Sequence, residues 1–111
     1  MQIELSELAG LLMLKNTKEV EAKELCPWQL GKNYFIRTVT HHFTGRLIQV
    51  TQQELVLQDA AWIADDGRFS NAIKTGVFGE IEPFPNGNLI VGRGSVIDAF
   101  ELNAELPRSQ K

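Results

Sequence analysis

Residues 41–63 read HHFTGRLIQVTQQELVLQDAAWI: a histidine pair, a lone glycine inside a run of strand-forming residues, a polar turn, then a second apolar run ending on Trp62 and Ile63. Leu47 alternates with Gln49 while Ile48 and Val50 face the other side, and Leu55 and Leu57 share one face of the next run. Period two therefore governs both runs. A glycine inside a strand weakens it unless the strand must bend or another group must come close. The stretch predicts two strands joined by a turn at Thr51–Gln53, the first of them bent at Gly45.

Outward from this centre, YFIRTVTHHF (34–43) adds a third run rich in β-branched and aromatic residues, so residues 33–63 read as three successive strands. NLIVG and SVIDAFEL, separated by Arg93-Gly94, predict a last pair within 88–102. Between the two groups, residues 64–87 read as an insertion. It holds a short helix with Asp65 or Asp66 as cap, Phe69, Ala72 and Ile73 at helical spacing, and Gly76 as stop. VFGEIEPFPNG follows as an extended segment closed by an Asn86-Gly87 turn. At the start, Ile3, Leu5, Leu8, Leu11 and Leu12 recur at three- and four-residue steps and predict an amphipathic helix. TKEVEAKEL reads as a second helical patch or a loose turn, so residues 1–30 form an N-terminal helical segment. The polar tail LPRSQK is expected to fray.

Five short strands behind one helix close most simply as a small, strongly curved barrel, and such a barrel needs sharply bent strands. The expected fold is thus mainly β: one domain over 1–111, a strongly bent five-stranded barrel with an N-terminal helix and a short helical insertion between strands three and four. A chain of 111 residues suffices for one hydrophobic core.

Composition narrows the function classes. Hydrophobic residues make up 43% and charged residues 23%, and no apolar run reaches the roughly 18 residues that span a bilayer. The start lacks a basic leader and the single cysteine, Cys26, has no partner for an internal disulfide, so a cytoplasmic setting is expected. A net charge of −3 disfavours indiscriminate coating of nucleic acid. The charge is uneven, however: Leu25 to Gln53 contains no carboxylate but holds Lys32, Arg37, Arg46, His41 and His42.

Catalytic and metal chemistry find little support. His41 and His42 are adjacent, so on a strand they point to opposite faces and cannot chelate one ion, and the run around them offers no cysteine or carboxylate. Cys26 has no local base and reads as a small packed hydrophobe. Asp65 and Asp66 read as helix caps, Trp62 and Phe69 as anchors of the inserted helix, and G-R-G at 92–94 as a turn, since it lacks the lysine and helix of a phosphate loop. No nucleophile, base and oxyanion donor assemble, so the chain is expected to be neither an enzyme nor a cofactor binder.

Gly45-Arg46-Leu47, then Thr51-Gln52-Gln53-Glu54 and Leu55-Val56-Leu57-Gln58-Asp59-Ala60, resemble the first motif of the Sm-like family, which includes Sm, LSm and bacterial Hfq proteins. Ile90-Val91-Gly92-Arg93-Gly94-Ser95-Val96 resembles its second motif. The resemblance covers 34–60 and 88–100. It departs at Thr51, where Sm and LSm proteins usually carry an acid, and at Glu54, where they carry asparagine; the turn length is closer to the bacterial members. Such a chain looks like a divergent member of bacterial or phage origin, acting in the cytoplasm or that of a host.

The resemblance implies a homo-oligomeric ring of roughly five to seven subunits, closed through heterologous contacts. Asn88, Leu89, Ile90, Val91 and Gly92 of one subunit would then meet Ser95, Val96, Ile97, Asp98, Ala99 and Phe100 of the next. It also implies a single-stranded RNA site at the pore, formed by Gln52, Gln53, Glu54, Arg93, Gly94 and Ser95. The other class of function is a structural or protein-interaction ring that binds no nucleic acid, with Gln52, Gln53 and Glu54 as a solvated turn and Arg93 in an ion pair between subunits. Fold alone does not choose between them.

Overall fold

The computed structural model describes residues 26–111; the expected N-terminal helix and the patch at 17–25 lie outside the described residues. The fold is mainly β. Among the described residues six strands, β1 (Asn33–Thr38), β2 (His42–Val50), β3 (Glu54–Asp65), β4 (Glu80–Pro83), β5 (Asn88–Gly92) and β6 (Val96–Glu101), form one antiparallel sheet, with a short α-helix, α1 (Phe69–Thr75), between β3 and β4. The order is β4-β3-β2-β1-β6, and β5 adds to the first half of β3. The sheet is not closed, because β5 and β6 do not pair with each other.

Two expectations about strands need correction. The first run ends at Thr38 rather than continuing to Phe43, since Val39–His41 form the hairpin turn; the Thr38 hydroxyl donates to the His41 carbonyl at 2.7 Å and accepts the His41 N–H at 3.0 Å. The described residues also hold six strands where five were expected. Glu80–Pro83 pairs with the second half of β3, Ile63 opposite Ile81 and Trp62 opposite Glu82, so the 64–87 insertion contributes a strand as well as a helix.

β3 changes partner because it changes direction at Asp59. Leu55 to Gln58 pair with β5, whereas Ala61 to Asp65 pair with β4. Between the halves, Thr44 faces Ala61 but Arg46 faces Gln58, an extra residue on β3, and Asp59 takes a left-handed φ of 54°. This is a bulge, and aspartate is among the few side chains that tolerate that conformation. The bulge shifts the alternation by one position. Leu55, Leu57 and Ala60 therefore face one core, while Ala61 and Ile63 face the other.

Gly45 sits opposite the bulge, buried on β2. A Cβ there would lie 2.8 Å from Leu57 Cβ, 3.2 Å from Leu57 Cδ1 and 3.4 Å from Ala60 Cβ. Its φ is not among the positive ones, so close approach of β3 requires the glycine, not backbone freedom.

The cores occupy opposite faces of the sheet. Tyr34, Ile36, Leu47, Leu55, Leu57, Ala60 and Val91 make one, while Phe35, Ala61, Ile63, Ala72, Phe78, Ile81 and Leu102 make the other. β1 alternates between them, which is why YFI is apolar without interruption. The helix covers the second core through buried Ala72 and ends where Gly76, at φ 74°, donates its N–H to the Ala72 carbonyl.

The tail does not fray. Lys111 and Ile81 exchange both backbone hydrogen bonds at 3.0 Å, and Arg108 donates to the Ala60 carbonyl at 2.7 Å and the Phe84 carbonyl at 3.1 Å. The chain end thus pairs with the outer edge of β4.

Candidate functional site

Three turns meet at one end of the sheet. Arg93–Ser95 form a 3₁₀ turn between β5 and β6. The Arg93 N–H donates to the Gln53 carbonyl at 2.8 Å, and its guanidinium donates to the Thr51 carbonyl at 2.7 Å. On the other side, the Val39 N–H donates to the Ser95 carbonyl at 2.9 Å, so the 3₁₀ turn bridges both hairpins. The β2–β3 turn is braced from within, because the Thr51 hydroxyl oxygen accepts the Glu54 N–H at 2.9 Å.

The sequence-derived site residues therefore fall together. Gln52, Gln53, Glu54 and Gly94 are exposed; Arg93 and Ser95 are half-buried. Arg93 is not free to swing, however, since it clamps the neighbouring turn through Thr51. Ser95 is likewise occupied, its hydroxyl donating to the Gly92 carbonyl at 2.7 Å.

The acid-free stretch does not produce a bare basic face. Arg37 Nε donates to Asp98 of β6 at 2.7 Å, and the guanidinium carbon of Arg37 lies 4.8 Å from the Phe69 ring centroid. Arg46 donates to Asp59 at 2.9 Å, and His42 Nδ1 lies 3.0 Å from Asp66. Each of these groups finds a carboxylate supplied from beyond residue 53. The hydrogen bond from Arg37, then its charge, holds the Asp98 carboxyl below its ordinary value. These contacts also reassign Asp65 and Asp66, which do not cap α1: its N-cap is Arg68 without a side-chain bond, Asp65 accepts the Gly67 N–H at 2.8 Å, and Asp66 faces His42.

The strand edges named for self-association are placed as follows. On β5, Asn88, Ile90 and Gly92 are exposed, Leu89 is half-buried and Val91 belongs to the core. On β6, Ile97, Asp98 and Phe100 are exposed, while Val96 and Ala99 pack against the core. Ile90 is 63% exposed, Ile97 65% and Phe100 48%.

One feature escapes sequence reasoning. Trp62 does not anchor the helix; Phe69 does that, 6.2 Å from Phe35. Trp62 instead stands in a row with Phe43 of β2 and Glu82 of β4, its partners on either side. The alternation of Ala61 and Ile63 puts Trp62 on the other face, but only the register shows what joins it there. Among the described residues no group of three or more histidine, cysteine, aspartate or glutamate side chains is positioned to hold a metal ion, and no helix is long and apolar enough to cross a membrane. No family model, curated protein or solved structure matches the chain.

Proposed function

We propose that this protein is a self-assembling, Sm-like ring component in which β5 of one subunit adds to β6 of the next. The observation that carries the reading is the pattern of open edges. The chain end pairs with the outer edge of β4, whereas among the described residues β5 and β6 each have a partner on one side only, β3 and β1 respectively. Open edges invite a further strand, and β5 carries no charge or proline to discourage one. Ile90 and Ile97 give both edges exposed apolar side chains. Because the two surfaces differ, joining them is head-to-tail, and such contacts close into a ring or continue as a filament. The bend at Gly45 and Asp59 supports the barrel-like curvature that the Sm-like reading requires.

The test is native mass measurement of wild type, Ile90→Lys and Ile97→Lys. Wild type is expected as one discrete oligomer and each variant as a monomer. Mixing the variants leaves one intact β5 and one intact β6, so a one-to-one heterodimer is expected and no larger species. A monomeric wild type, or self-dimers of Ile97→Lys through β5 alone, would overturn the head-to-tail arrangement.

Single-stranded RNA binding is the second reading, favoured by the convergence of the exposed amides of Gln52 and Gln53 on the 3₁₀ turn. A ring repeats those amides around one axis, and valency strengthens a weak contact. The pairing of Arg37, Arg46 and Arg93 within the subunit leaves fewer cations for phosphate, which is why assembly stands first. Salt-titrated binding of short uridine- and adenine-rich RNAs distinguishes the two: affinity that falls with salt and is lost in Gln52→Ala/Gln53→Ala supports RNA, and no binding at low salt removes it.

A further inference from the structure

On a different part of the sheet, β2, β3 and β4 present a row of three facing side chains, Phe43, Trp62 and Glu82, each in register with the next. His41 closes one end, its ring stacked 6.0 Å from Phe43 at 12° and 5.7 Å from Trp62. Phe84, 6.1 Å from Phe43, and Leu89 complete a cleft of about 340 Å³. Trp62 remains 38% exposed there. No lysine or arginine lines the cleft. Glu82 accepts a 3.3 Å bond from the Gln110 amide at Oε1 and forms no ion pair among the described residues, while the Arg108 guanidinium is committed to the Ala60 and Phe84 carbonyls.

We propose that this cleft binds an arginine side chain presented by a partner protein segment. The chemistry of the lining selects the occupant. Aromatic faces attract a cation through the ring quadrupole, and the effect is larger where water is excluded. A cross-strand carboxylate lies roughly 5 Å away between Cβ atoms, within reach of the same guanidinium. An uncharged apolar group would strip Glu82 of water without replacing its hydrogen bonds, and an anion would meet Glu82 directly. Arginine satisfies both halves: its planar head stacks on Trp62 while its fork of donors turns to Glu82. Of the lining only Leu89 lies on β5, the strand proposed for assembly; Trp62 and Glu82 lie on β3 and β4.

The full-length chain is titrated with acetyl-Gly-Arg-Gly-amide and with the isosteric, uncharged citrulline peptide, following the Trp62 indole N–H by NMR with the Trp28 indole as internal control. A saturable Trp62 shift is expected with the arginine peptide, at least tenfold weaker with citrulline, and about fivefold weaker in Glu82→Gln. Glu82→Gln, at an exposed position, keeps the Trp62 signal and tests the carboxylate without threat to the fold. A shift equal for both peptides, no Trp62 response to the arginine peptide, or unchanged affinity in Glu82→Gln would overturn the proposal.

Discussion

Gly45→Ala isolates the contact on which the bent sheet depends. The new methyl carbon would stand 2.8 Å from Leu57 Cβ, an atom fixed to its backbone, so no rotamer change relieves it. The contact at 3.2 Å with Leu57 Cδ1 can yield by rotation, and that with Ala60 at 3.4 Å is ordinary van der Waals packing. One strand must therefore retreat from the other at the bulge. Overpacking of this kind costs about 1–3 kcal/mol. Against it stands the reduced freedom of the unfolded chain, about 0.4–1 kcal/mol in favour of alanine, which applies because φ at this position is not in the left-handed region. The net expectation is a loss of about 1–2 kcal/mol. With a urea slope of about 1–3 kcal/mol per molar, the midpoint should fall by roughly 0.3–2 M. The assay is urea unfolding followed by tryptophan fluorescence and circular dichroism at one fixed protomer concentration, since association shifts apparent stability. Gly45→Val, with two further methyl groups in the same space, should fail to fold. A midpoint that is unchanged or raised in Gly45→Ala would refute the claim that approach of β3 dictates glycine here.

Three further outcomes follow from particular contacts. The Thr44 hydroxyl is fully buried with no hydrogen-bond partner among the described residues, so the near-isosteric Thr44→Val should be neutral or stabilising, by up to about 1 kcal/mol, in the same unfolding assay; clear destabilisation would mean the hydroxyl is satisfied. Asp98 is held below its ordinary value of 3.8 by Arg37, so its contribution is fully present above that pH and is lost as pH falls through the lower folded-state value. An acid titration of stability should show wild type losing its small advantage over Asp98→Asn only below about pH 4, with salt reducing the gap because the pair is exposed. Arg108→Ala removes donors to two carbonyls and should cost about 1–2 kcal/mol, and it should also speed hydrogen exchange at the Ile81 amide, which the chain end protects; fast exchange at Ile81 in wild type would refute the docked tail.

Much of the strand pattern was legible because it is written in nearest-neighbour sterics. The residue runs at 88–92 and 96–101, the turn at 51–53, the helix around Ala72 and its stop at Gly76 all emerge in the structure. The convergence of the 51–54 and 93–95 turns was expected from the family resemblance alone, and the hydrogen bonds of Arg93 supply its geometry. What escaped was long-range. EIEP at 80–83 is too short, and too close to proline, to declare itself a strand until Ile63 and Trp62 offer it a ladder. Asp59 carries no local signature of a bulge; its left-handed turn follows from the need of β3 to serve two partners.

The amino-acid order by itself determined a β-rich chain with a glycine at its bend, because alternation, turn chemistry and the steric exception of glycine act within a few residues. Tertiary structure alone decided which edges stay open, which carboxylate neutralises each cation, and which aromatics share a cleft. Arg37 and Asp98 are 61 positions apart, and Phe43, Trp62 and Glu82 meet only through the register of three strands. Such meetings are selected by the free energy of the whole fold, to which no local window of sequence has access.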